Sequence, residues 1–217
     1  MIFRFRNKFN SLSKFQKFFT TSFTLILSVL TILTLIQINT SELNDFATKV
    51  IFSLFVIVIF SLFAYLSLYD IVYFEIPGKL AIFLPVSILI MNLLLGLIIG
   101  FNTEISIWQG NTTTPLINLI GGIAGGIVIG SIVFLTKGNG MGEGDIWVLA
   151  GLGFFIGYEK LIIGFYISIF SALIVGLLYS LKIKKLKGVP IPFVPFLVFG
   201  CLIALSLNLD YRIIFNF

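Results

Sequence analysis

Seven apolar runs decide what this chain can fold into. They cover roughly residues 18–38, 50–69, 80–101, 115–136, 146–157, 161–181 and 190–207. An α-helix needs about 20 apolar residues to cross a hydrocarbon core about 30 Å thick, and most of these runs have that length. Composition points the same way: 59% of the 217 residues are hydrophobic and 11% are charged. A water-soluble domain carries about 25% charged residues, and no soluble fold of this size could hide so much apolar side chain. The expected architecture is therefore an all-α, polytopic membrane helix bundle of about seven transmembrane segments.

The segments flanking the runs are polar and basic. Residues 1–17 carry Arg4, Arg6, Lys8, Lys14 and Lys17, no acid, and interleaved phenylalanines. This reads as a basic amphipathic arm resting on an anionic lipid face, in preference to a nucleic-acid contact. The bundle then fills residues 18–209, and residues 210–217 form a short tail. The first run is long for a signal peptide, and no small-x-small cleavage site follows it, so it is read as a retained helix. Starting in the cytoplasm and alternating through seven helices places eleven of the fourteen basic residues on the cytoplasmic side, among them Lys79, Lys137, Lys182 and Lys184. The positive-inside rule favours that orientation. It also collects Asp70, Glu75, Glu143 and Asp145 on the cytoplasmic face, and Glu104, Glu159 and Asp210 on the other.

The fifth run is short. From residue 146 to 157 a helix covers about 18 Å, too little to cross alone. The stretch before it, Gly138 to Asp145, is glycine-rich. Irregular backbone is tolerated at membrane depth only where protein or a water cavity covers it. The loop is thus expected to dip inward and place Asp145 in a wet pocket. Gly121, Gly122, Gly125, Gly126 and Gly130 form small-xxx-small registers on the fourth helix and are read as close helix packing.

The chain has no histidine and one cysteine, Cys201. Imidazole-dependent hydrolysis, four-cysteine zinc sites and internal disulfides are excluded. No cofactor or metal site is expected, and Cys201 reads as a small buried hydrophobe. Carboxylates remain. Asp70 falls at the end of the second helix, where the macrodipole disfavours an anion. Asp145 precedes an apolar helix, where an N-cap role is equally open. Singly, each has a structural reading and a functional one. Together they offer more: two carboxylates in one site cannot both ionise easily, so one holds a proton while the other acts as base. Amide hydrolysis by water needs that division, and glycines beside Asp145 would let a substrate backbone approach.

These residues also carry a resemblance. Tyr69-Asp70 with Ile76-Pro77 and Leu80 resembles the D-x5-I-P-x2-L stretch of bacterial prepilin peptidases. Lys137 to Asp145, with Gly140-Met141-Gly142-Glu143-Gly144-Asp145, resembles the G-x-G-D motif of the same family. Ile191 to Leu197 is similar to its P-F-G-P-F-L segment. The three motifs come in the family's order, across about residues 45–205. The resemblance implies an aspartic endopeptidase of the bacterial cytoplasmic membrane, with Asp70 and Asp145 as catalytic residues. Gly142, Gly144, Ile76, Pro77 and Lys137 would be motif residues around the substrate's approach. The implied partners are lipid and a type IV prepilin or pseudopilin, whose basic leader is cut at the cytoplasmic face. The chain departs from the family in three ways: Trp147 stands where lysine is usual, Val194 where glycine is usual, and the paired C-x-x-C motifs of bifunctional members are missing. N-methyltransferase activity is therefore not expected. Presenilin-like peptidases share Y-D and G-x-G-D, but no P-A-L motif occurs here. The alternatives are a transporter or proton-coupled protein using Asp70 and Asp145 as ion ligands, or a silent pilin-binding member.

Overall fold

The structure, a computed structural model, describes residues 17, 18, 20–26, 28, 29, 32, 46–108, 111–138, 141–184 and 191–210. The expected basic arm, apart from Lys17, lies outside these residues, as do Gly140, Lys185, Lys187 and residues 211–217. The described chain is helical apart from its connections and one short hairpin. Its elements are α1 (Phe46–Tyr73), α2 (Gly78–Ile99), β1 (Ile105–Trp108), β2 (Asn111–Thr113), α3 (Pro115–Thr136), α4 (Glu143–Ile183) and α5 (Val194–Ser206). Segments within α1, α2, α3 and α4 are long and apolar enough to cross a membrane, while α5 is a shorter apolar helix. The all-α membrane bundle read from the apolar runs is the fold observed. The sequence reading missed the β1–β2 hairpin, which pairs Ile105 with Thr113 and Ser106 with Thr112.

Although α4 is 41 residues long, it is not one rod, because Gly157 sits inside it at φ 78°, ψ 164°. Only glycine takes such a backbone without strain. Asp145 and Leu173 line the same cavity, whereas a straight helix would hold them about 42 Å apart. The chain therefore reverses at Gly157. The first limb, 143–156, and the second, 158–183, lie antiparallel, and Leu149 of one and Leu161 of the other both meet Gly125 of α3. These limbs are the fifth and sixth apolar runs.

The first limb is the core of the bundle. Val148, Leu149 and Leu152 are fully buried, and α1, α2, α3 and α5 surround them with Phe63, Leu66, Leu84, Ile129 and Leu197. Small residues permit the closest approaches. A Cβ at Gly121 would lie 2.6 Å from the Gly153 carbonyl oxygen, and one at Gly164 would lie 2.7 Å from Cys201 Cα. The glycine stripe on α3 thus works as the packing surface expected of it, with open space only at Gly130. Cys201 is buried against the second limb. The outer surface is apolar, with Leu97, Ile98, Phe134 and Leu135 each more than 70% exposed, as a lipid-facing wall requires.

Where the chain reverses, a buried polar chain holds the break. Asn92 Nδ2 of α2 donates to the Phe154 carbonyl at 2.8 Å, Asn118 Nδ2 of α3 donates to Asn92 Oδ1 at 3.1 Å, and Thr113 Oγ1 donates to Asn118 Oδ1 at 2.7 Å. A helix that stops leaves carbonyls without intrahelical partners. Asn92 supplies a donor to one of them inside the bundle.

Candidate active site

Four helix ends meet at one level of the bundle. α1 finishes at Tyr73, and Phe74, at φ 55°, turns the chain in the left-handed conformation. Pro77, with φ preset near −67°, then caps the start of α2. The first limb of α4 begins here at Glu143, with Gly142 as its N-cap. α5 begins here too, at Val194 after Phe193. The second limb of α4 passes this level near Ile169 and Leu173 and runs on to Ile183, about 15 Å further. Its exposed Ile174, Leu177, Leu178 and Leu181 keep that extension apolar. The helix ends therefore lie below the rim of the apolar wall.

Between them is a cavity of about 1040 Å³. Asp70, Glu75, Glu143 and Asp145 line it together with apolar residues such as Met141, Ile169, Leu173 and Phe193. The glutamates are exposed, but Asp70 and Asp145 are only 7% and 6% exposed. Among the described residues neither aspartate is ion-paired. Each is held by a backbone N–H at the start of a helix. Asp145 is the third residue of the first limb, and its Oδ2 accepts from Gly142 N–H at 3.0 Å. It is thus not the N-cap residue but reaches back to the cap from inside the first turn. Asp70 lies in the last turn of α1, where its own helix disfavours a carboxylate. Its Oδ2 accepts from Val194 N–H at 3.0 Å, at the first residue of α5. The positive end of one helix thus offsets the negative end of another.

The other residues singled out by motif fall at or near this cavity. Gly142 and Gly138 line it, and the face of Gly142 that a Cβ would occupy meets little but the Asp145 carboxylate, at 3.7 Å. The corresponding face of Gly144 is occupied by Ile76. Lys137 caps α3 in the left-handed conformation, is exposed, and is not part of the cavity lining. Val194 is buried, and its N–H rather than its side chain meets the aspartate. Trp147 turns away from the site. Two residues along a helix is a rotation of about 200°, and Trp147 lines a separate groove with Pro85, Val86 and Gly126. The sequence reading did not find the Val194 donor. Proline two residues into an apolar run (Val194-Pro195) is the signal that a helix starts there, but nothing local says that its N–H would face Asp70.

Fold and site define a class: a polytopic membrane protein whose helix ends bring two buried carboxylates, without an ion pair among the described residues, into one cavity. The comparisons with known proteins then narrow it. The type IV leader peptidase family matches residues 57–177, more than half of the chain, and the chain belongs to that family. It is also similar to a prepilin leader peptidase/N-methyltransferase of Bacillus subtilis (strain 168), at 33% identity over 86 residues. That stretch is 40% of this chain and 34% of the relative, so the match spans about a third of the relative's length. No solved structure matches the chain.

Proposed function

We propose that this chain is an aspartic endopeptidase that removes the basic leader of type IV prepilins or pseudopilins at the cytoplasmic face of the bacterial inner membrane. The observation that carries the reading is the pair Asp70 and Asp145: they come from different helices, both are buried, among the described residues neither is matched by a cation, and both line one large cavity. An unpaired buried carboxylate is costly in a membrane protein and is found where it has work to do. In the proposed reaction one carboxylate takes a proton from water as the oxygen adds to the scissile carbonyl. The other, protonated, donates to the carbonyl oxygen, and proton transfer to the amide nitrogen then releases the leader's new C-terminus and the pilin's new N-terminus. A cavity lined by four carboxylates among apolar residues suits a substrate whose basic leader precedes an apolar helix.

The orientation is part of the proposal. Glu75, Lys79, Lys137 and the dyad share one end of the bundle, and the seven-span reading of the sequence assigns eleven of the fourteen basic residues to the cytoplasmic side with them. A cysteine placed at Asn139 in a Cys201→Ser background is expected to label from the cytoplasm alone; labelling only from outside would reverse the orientation. The chain lacks paired cysteines, so we further propose that it does not methylate the new N-terminus. Co-expression with candidate prepilins, read by mobility shift, N-terminal sequencing and mass spectrometry, tests all of this. A shortened, unmethylated pilin that depends on both aspartates is the expected product. Ion coupling lost in the aspartate variants, with no prepilin cut by the wild type, would favour the transporter alternative.

A further inference from the structure

The loop after Asp70 and the turn at Asp145 meet where Ile76 lies on Gly144. Six residues after Asp70, Ile76 is fixed by the residue that follows it: Pro77 restricts the backbone before it to extended conformations and starts α2. The Ile76 side chain lies on Gly144, the immediate neighbour of Asp145. A Cβ at Gly144 would stand 2.5 Å from Ile76 Cδ1 and 2.7 Å from Ile76 Cβ. Non-bonded carbons sit about 3.5–4.0 Å apart. The Cδ1 contact could be relieved by a rotamer change. The Cβ contact could not, because Cβ moves only with the backbone. A methyl at Gly144 would therefore drive the loop carrying Ile76 and the turn carrying Asp145 apart by about 1 Å.

We propose that Ile76 is a positioning residue, and that its seat on Gly144 sets the separation of the Asp70 and Asp145 carboxylates. The two motifs are then halves of one clasp. α1 delivers Asp70 and its following loop delivers Ile76; the glycine turn delivers Asp145 and leaves Gly144 bare to receive it. Both clasp residues line the cavity that holds the aspartates, so a displacement there reaches the reacting groups directly. The inference rests on the peptidase reading above.

The test uses full-length protein in liposomes and a prepilin that the wild type processes, with rates normalised to protein that elutes folded on size exclusion. Gly144→Ala is expected to lower kcat about 10²-fold, the loss typical of a displacement near 1 Å, with little change in KM. Ile76→Gly is expected to lower kcat about tenfold by loosening the clasp, and to move the two limbs of the pH–rate profile relative to each other, because their spacing depends on how closely the carboxylates interact. Gly144→Ala combined with Ile76→Gly is expected to be about tenfold more active than Gly144→Ala alone, a positive coupling between residues in contact. A double variant no more active than Gly144→Ala overturns the proposal. So does an Ile76→Gly enzyme whose pH limbs coincide with the wild type's, and this second result stands even if Gly144→Ala fails to accumulate. A wild type that cuts no prepilin, or Asp70→Asn and Asp145→Asn variants that still cut, would instead remove the peptidase reading itself.

Discussion

The two ends of the bundle treat buried charge in opposite ways. At the end away from the dyad, Lys160 is nearly buried at the start of the second limb of α4, and its Nζ lies 3.2 Å from Asp210 Oδ1 beyond α5. Glu104, Glu159 and the threonines of β2 line the same small pocket of about 130 Å³. At the dyad end, four carboxylates line a cavity several times larger, and its lining includes no basic side chain. Charge compensated by countercharge ties elements together, here the reversal near Gly157 to the end of α5. Charge held only by backbone N–H groups has little structural return for its burial. On the proposed reading, the contrast distinguishes scaffold from site.

The largest effect is expected at the dyad. Asp70→Asn and Asp145→Asn should each lower cleavage by about 10³-fold or more, since each keeps shape but removes proton exchange. Neither should lower thermal stability, because Asn keeps the shape and an oxygen that can accept the backbone N–H bond made by each aspartate, and among the described residues no cation is left without its partner. A variant that lost activity only in proportion to folded protein would erase the distinction between the two ends. The next effect lies at the opposite end and is of the other kind. Asp210→Asn should destabilise the protein by about 2 kcal/mol by removing the countercharge 3.2 Å from the nearly buried Lys160. It should leave kcat per folded molecule unchanged, as measured by thermal unfolding alongside turnover. A fall in kcat at unchanged stability would make that pocket part of the site.

Smaller effects sharpen the boundary of the site. Glu75→Gln and Glu143→Gln are exposed on the cavity wall and should hold kcat within about tenfold of wild type, far less than either aspartate variant. A loss as large as that of Asp145→Asn would move the proton-transfer role to a glutamate. Trp147→Lys should be smallest in its effect on chemistry. Its side chain lines the groove with Pro85 and Gly126 rather than the cavity, so the pH–rate profile should not move. A lysine there can extend toward the interface and keep its charge in water. A moved profile would mean that position 147 reaches the dyad.

Much of this arrangement was legible in the sequence because it is written in short-range patterns. Apolar run lengths marked the helices, Ile76-Pro77 the break after α1, and Gly157 the end of the fifth run. Charge alternation placed Asp70 and Asp145 on one face, and the structure puts them in one cavity. What escaped depends on contacts between distant residues. Val194 meets Asp70 across 124 positions, and Asn92 reaches Phe154 across 62. No periodicity encodes which helix start faces which carboxylate. The β1–β2 hairpin escaped because it is brief and lies in a connection. Trp147 is different: its displacement by about 200° from Asp145 follows from helix geometry alone. The glycines divide in the same way. Close packing along α3 was readable from small-xxx-small spacing, while Gly144 as a seat for Ile76 required the fold.

The claim at the centre of this account is that Asp70 and Asp145 act as one unit. The measurement that tests it most directly compares Asp70→Asn, Asp145→Asn and the double variant, purified and reconstituted, on one prepilin with the product's N-terminus sequenced. Groups that share a single proton-transfer step are non-additive, so removing either should cost as much as removing both. We expect all three variants to be equally inactive while the wild type yields a single new N-terminus. Near-normal cleavage by either single variant, or a double variant whose loss is the product of two partial losses, would contradict it.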